Sequence, residues 1–167
     1  MRPYDVSCGL LLILFLALSS LSSATETMEK ACNLTIDYHF CMKSLKADPR
    51  SRSADLRGLG AIAIDLSIAH ANATTSKLET LHANASNPYT KNKLEACLIL
   101  YRNALPPLQL AAEFLASKHF GVAKAMMEAP VFAPGSCEGL LGHVLATEND
   151  SVFNLMLMAR RFAEALA

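Results

Sequence analysis

Tryptophan is absent from this chain, aromatic residues make up only 7% of it, and 15 lysines and arginines are balanced by 15 aspartates and glutamates. Without net charge, no long-range field draws the protein toward nucleic acid or an anionic membrane. The basic, aromatic-lined surface that binds bases is missing too. There is no phosphate-binding loop and no dinucleotide fingerprint, and His39, His70, His82, His119 and His143 form neither H-x-x-x-H nor H-E-x-x-H. Period-two apolar runs and glycine-rich hairpin turns are lacking, which removes sheet architectures from consideration. No apolar run reaches the roughly 20 residues that cross a bilayer.

What remains is an apolar-rich chain, 52% of 167 residues, long enough for one domain with a real core. Its N-terminus reads as an address. Arg2 supplies a small positive region, "GLLLILFLAL" from Gly9 to Leu18 an apolar core, and "SSA" from Ser22 to Ala24 the small residues that a signal peptidase reads. Residues 1–24 are therefore expected to be a signal peptide, cleaved after Ala24, and residues 25–167 the mature domain. Secretion into an extracellular or wall-like compartment follows, with no membrane attachment after cleavage.

Cleavage removes Cys8 and leaves Cys32, Cys41, Cys97 and Cys137, an even set that suits disulfides in an oxidising compartment. Four N-x-S/T sequons, at Asn33, Asn72, Asn84 and Asn149, agree with that route and are candidate glycosylation sites.

Helical spacing dominates the mature chain. Leu59, Ile62, Ala63, Leu66, Ala69 and Ala73 form a stripe on a long helix with Ser53 as expected N-cap, and Asn72 falls off that stripe. A second stripe holds Leu94, Cys97, Leu98, Tyr101, Ala104, Leu105 and Leu108; a third holds Val152, Leu155, Met156, Ala159, Phe162, Ala163 and Leu166. Pro106 and Pro107 predict a kink or restart in the second of these helices. The fourth helix, "HFGVAKAMMEA" resuming as "SCEGLLGHVLA", is interrupted by Pro130 and Pro134. An all-α, antiparallel four-helix bundle is the architecture these faces ask for. Met126, Met127, Met156 and Met158 read as gap-fillers of its core.

Cys32 and Cys41 bracket "CNLTIDYHFC", which is helical in tone. Nine residues of α-helix would set their Cα atoms roughly 13 Å apart, whereas a disulfide tolerates roughly 7 Å at most. If the two are bonded, the chain must turn between them, with Asn33 and Thr35 suited to a helix end and a new N-cap. Four cysteines allow three connectivities; proximity favours Cys32 with Cys41, leaving Cys97 with Cys137. On chain-entropy grounds a loop of about ten residues contributes roughly 2.7 kcal/mol and one of about 41 roughly 3.9 kcal/mol.

The segment "ACNLTIDYHFCMKSLKADPRSRSADLRGLGAIAI", with the later "LEACLILY" and "GSCEGLL", resembles the plant invertase and pectin methylesterase inhibitor family over nearly the whole mature chain. The stretch "SLKADPRSRSADLRGLG" is most similar to the branch of putative invertase inhibitors that includes some pollen allergens. The resemblance implies an N-terminal helical hairpin (25–52) on a four-helix bundle (53–167), with disulfides joining Cys32 to Cys41 and Cys97 to Cys137. It also implies a non-enzymatic partner of a pectin methylesterase or acid invertase, in the plant cell wall or vacuole, that occludes the active site in a 1:1 complex without a cofactor.

In the family's invertase inhibitors a Pro-Lys-Phe element before the third-cysteine helix enters the substrate cleft. Here that place reads "NPYTK": Pro88 is kept, Tyr89 and Thr90 replace Lys and Phe, and Lys91 follows. Pectin methylesterase inhibitors instead present bundle helix faces, on which Lys93, Glu95, Arg102 and Asn103 are polar candidates. The two targets stand level on this reading.

Other functions have weaker footing. "GSCEG" at Gly135–Gly139 has the form of a nucleophile elbow but lacks a preceding strand. Cys32, His39 and Cys41 could be imagined on zinc, but an oxidising compartment favours the disulfide. A bundle that carries a small apolar ligand is the alternative class, and it requires a cavity that the alanine-rich stripes disfavour.

Overall fold

A computed structural model describes residues 25–167; the expected signal peptide and Cys8 lie outside the described residues. Helix α1 covers residues 25–32 and buries Met28, Ala31 and Cys32. It ends because the Thr35 hydroxyl and backbone amide both donate to the Cys32 carbonyl, at 2.7 and 3.0 Å. Thr35 thus closes the first helix. The cap of α2 (Tyr38–Ala47) is Asp37, whose carboxylate accepts from the Phe40 amide at 2.8 Å. Cys32 and Cys41 are joined across this turn with Cα atoms 5.6 Å apart.

Asp48 then caps a 3-10 turn at Pro49–Ser53, and Asp55, not Ser53, opens α3 (Leu56–Asn84) by accepting from the Gly58 amide at 2.7 Å. Ser53 is consumed by the preceding turn. Helix α4 is Pro88–Ala116, α5 is Phe120–Met126, α6 is Ala133–Leu141 and α7 is Ala146–Leu166. The expected fourth helix is divided into α5 and α6 by a 3-10 turn at Pro130–Phe132.

Pro106 and Pro107 do not restart α4, which runs through them without a break. Each proline removes one N–H, leaving the carbonyls of Arg102 and Asn103 without their helical donors. Both residues are exposed, so water can satisfy the freed groups, while buried Ala104, Leu108 and Ala111 hold the helix on the core on either side of the prolines.

Helix α3 packs against both α4 and α7, and its buried face departs from the expected stripe. Leu59, Ile62 and Ala63 are buried, but Leu66 is only half-buried and Ala69 and Ala73 are exposed. In their place Ser67, Ala71, Thr74, Thr75 and Leu78 face inward. The hydroxyls enter the core because each donates to its own helix: Ser67 to the Ala63 carbonyl (2.7 Å), Thr74 to His70 (2.9 Å) and Thr75 to Ala71 (2.8 Å). An apolar stripe count cannot see a face built partly from hydroxyls.

The stripes of α4 and α7 are buried as expected, apart from half-buried Leu105 and Leu166. Tyr101 and Phe162 are the largest fully buried side chains, each worth about 2 kcal/mol or more of transferred apolar surface. Gly60 sets the closest approach: a Cβ there would meet Leu115 Cδ2 at 3.3 Å and Phe162 Cβ at 3.6 Å. Cys97 on α4 is joined to Cys137 on α6, Cα atoms 5.0 Å apart. Across the outside, Lys124 and Glu164 tie α5 to α7 at 2.8 Å. The α1–α2 hairpin lies on its own bundle, with Ile36 and Phe40 beside Asn154, Leu157 and Met158 of α7.

Candidate contact surface

The turn between α3 and α4 shows how a local sequence builds a presented patch. Asn87 caps α4, its side-chain oxygen accepting from the Tyr89 and Thr90 amides at 2.9 and 3.3 Å, and Pro88 takes the first helical position where its missing N–H is harmless. Pro88, Tyr89, Thr90 and Lys91 are therefore brought together on one rigid helical turn, all exposed. Tyr89 is 70% exposed. Four residues on, Lys93 places its ammonium 4.6 Å from the Tyr89 ring centroid. Such a pair is worth about 0.5–1 kcal/mol at an exposed site and holds the ring in place. The i, i+4 spacing was legible in the sequence; the side-chain pairing was not.

The polar residues proposed for a bundle face divide differently. Glu95 approaches His82 at 3.4 Å and Arg102 pairs with Glu79 at 2.9 Å, so both join α4 to α3. Asn103 instead borders an open groove of about 180 Å³ between α4 and the start of α6, with Leu100, Pro107, Pro130 and Phe132. Phe132 is 68% exposed, and Ile99 on α4 is 50% exposed. The groove is lined by uncharged, mostly apolar residues.

Cys137 is fully buried and bonded to Cys97, the disulfide the sequence favoured over a nucleophile elbow, and the turn before α6 is 3-10 helix rather than strand. Among the described residues no group of three or more His, Cys, Asp or Glu side chains could hold a metal, and no helix is long and apolar enough to cross a membrane.

The sequons separate into two kinds. Asn33, Asn72 and Asn84 are exposed, whereas Asn149 is 3% exposed at the start of α7. Asn149 accepts from the Tyr101 hydroxyl at 2.7 Å and donates through Nδ2 to Glu138 at 2.8 Å. Burial pushes the Tyr101 phenol well above its usual range, so it stays a neutral donor. Glu138 also meets His143 at 3.1 Å. Sequence spacing marks Tyr101 as core but carries no signal of this polar chain across α4, α6 and α7.

Comparison with known proteins places the whole arrangement. Residues 26–160 match the family model of the plant invertase/pectin methylesterase inhibitor domain. A pectinesterase inhibitor of Actinidia deliciosa is 33% identical over 77% of this chain and 72% of its own length. A putative invertase inhibitor of Platanus acerifolia is also 33% identical, over 77% and 73%. An Arabidopsis thaliana cell wall/vacuolar inhibitor of fructosidase is 30% identical over 76% and 71%. In fold, the chain is similar to the crystal structure of a mutant pectin methylesterase inhibitor from Arabidopsis, with TM-score 0.75 and 23% identity over 84% of this chain and 97% of that one. With a family match that spans nearly all the described residues, the chain belongs to the plant invertase/pectin methylesterase inhibitor family.

Proposed function

We propose that this protein is a secreted, non-enzymatic inhibitor that blocks the active site of a plant pectin methylesterase or acid invertase in a 1:1 complex, in the cell wall or vacuole. The observation that carries the reading is the family match over residues 26–160, with relatives named as inhibitors of each enzyme. Two surfaces suit the work. The Pro88–Lys91 turn presents Tyr89 and lysine charge on a helix end fixed by Asn87. The groove beside Phe132 offers apolar surface for a partner to cover. A rigid bundle loses little conformational freedom on docking, which favours affinity.

The carrier alternative has less support. Gly60, with Leu115 and Phe162 against it, marks helices packed too closely for a ligand chamber at that point, and the groove at Phe132 is open to solvent.

The test is side-by-side inhibition of an acid invertase and a pectin methylesterase by the mature, disulfide-bonded protein across acidic pH. Slowing of one or both at micromolar excess is expected; full activity of both enzymes sinks the proposal.

A further inference from the structure

The four sequons are equivalent as sequence and unequal as structure. Glycosyl transfer forms a bond between the asparagine Nδ2 and the first sugar's anomeric carbon, breaks that carbon's bond to oxygen in a lipid-pyrophosphate-linked oligosaccharide donor, and releases the lipid pyrophosphate, while one amide proton passes to a base of the transferase and on to solvent. It occurs on a chain not yet folded, so folding then acts as a filter on what has been attached. At Asn33, in the hairpin turn, and at Asn72 and Asn84 on α3, the residue is exposed and an attached sugar has solvent to occupy. At Asn149 the same nitrogen donates to Glu138 inside the α4–α6–α7 seam, and Oδ1 receives the buried Tyr101 hydroxyl. A sugar on that nitrogen competes with the bond to Glu138, and turning the side chain out into the open cleft of about 190 Å³ beside it leaves the buried Tyr101 hydroxyl without its acceptor.

We infer that the folded, secreted protein carries N-linked oligosaccharide on Asn33, Asn72 and Asn84 and none on Asn149, whose amide is a structural part of the core.

The full chain, with its own leader, is expressed in a plant secretory host. The secreted product is treated with the amidase that turns glycosylated asparagine into aspartate, and its peptides are mapped by mass spectrometry. Conversion at Asn33, Asn72 and Asn84, with unmodified Asn149, is expected. Asn→Gln at each of the three exposed sites removes one glycan step on a gel. Ser151→Ala, which destroys the fourth sequon but keeps the amide, changes neither mobility nor yield, while Asn149→Gln lowers the secreted yield several-fold because its longer side chain does not fit the seam. Conversion at Asn149 in secreted protein, a glycan step lost in Ser151→Ala, an unmodified asparagine at any of the other three, or retention of the chain in the cytosol overturns the assignment.

Discussion

Tyr101, on α4, donates its fully buried hydroxyl to Asn149 of α7 at 2.7 Å, and Asn149 passes a second hydrogen bond of 2.8 Å to Glu138 of α6. Three helices are thereby registered by one polar chain that links side chains of different helices, unlike Ser67, Thr74 and Thr75, which bond to their own helix. Tyr101→Phe is expected to cost about 1 kcal/mol, and Asn149→Ala, which takes the acceptor from the buried Tyr101 hydroxyl, about 1–3 kcal/mol. The double variant should cost less than the sum, because the shared bond is lost only once. Urea denaturation of the four proteins in the cycle checks this; strict additivity would contradict the coupling.

The two disulfides act on different parts of the molecule. Cys32–Cys41 closes the local α1–α2 hairpin, so replacing both cysteines by serine should expose residues 25–47 to proteolysis while the bundle still melts cooperatively. Replacing Cys97 and Cys137 removes the α4–α6 tie and should lower global stability by roughly 4 kcal/mol on the chain-entropy model. Limited proteolysis with peptide mapping and thermal melts distinguish the two; unchanged hairpin cleavage in the first variant counts against the staple.

Glycines report on packing. Gly139, with nothing within 4 Å of a added Cβ, should gain about 0.5–1 kcal/mol as Ala through helix propensity alone. Gly60→Val, pressed against Leu115 and Phe162, should lose stability by about 1–3 kcal/mol. Melting temperatures of the two variants should move in opposite directions.

At the α3–α4 turn, Tyr89→Ala should weaken inhibition of the sensitive enzyme by roughly 30-fold, the size of an interfacial aromatic anchor worth about 2 kcal/mol. Lys91→Ala and Lys93→Ala should have smaller effects. Because Tyr89 is exposed, stability should fall by no more than about 0.5–1 kcal/mol, the worth of its pair with Lys93. Inhibition constants equal to those of the unaltered protein for all three variants would remove this turn from the contact.

Acid should weaken the fold. The Lys77 hydrogen bond holds the Glu148 carboxyl below its ordinary 4.5, and Lys124, then Arg161, do the same for Glu164. A carboxylate depressed in the folded state contributes stability that is complete above its unfolded value and disappears as pH falls through the folded value. Stability should therefore be flat with respect to these groups above about pH 5 and decline below about 4.5. Glu148→Gln should flatten that decline in a pH series of urea midpoints. An unaltered slope would show that the Lys77 pair contributes nothing.

Periodicity, cysteine count and turn chemistry by themselves determined that this chain is a helical bundle, because burial on one side of a helix writes a three-to-four spacing into the sequence. The faces of α4 and α7, with Cys97, Tyr101 and Phe162, were legible for that reason. The inward face of α3 was not: it uses Ser67, Thr74 and Thr75, whose polarity is cancelled only by carbonyls of the folded helix. The continuity of α4 through Pro106 and Pro107 likewise depends on neighbouring contacts stronger than the loss of two hydrogen bonds. The fate of Asn149 was the most hidden, since a sequon spans three residues and its burial depends on Tyr101 and Glu138, 48 and 11 positions away. Local spacing selects helices and their caps; only tertiary packing decides which polar groups find partners inside, and hence which surface is left for another molecule.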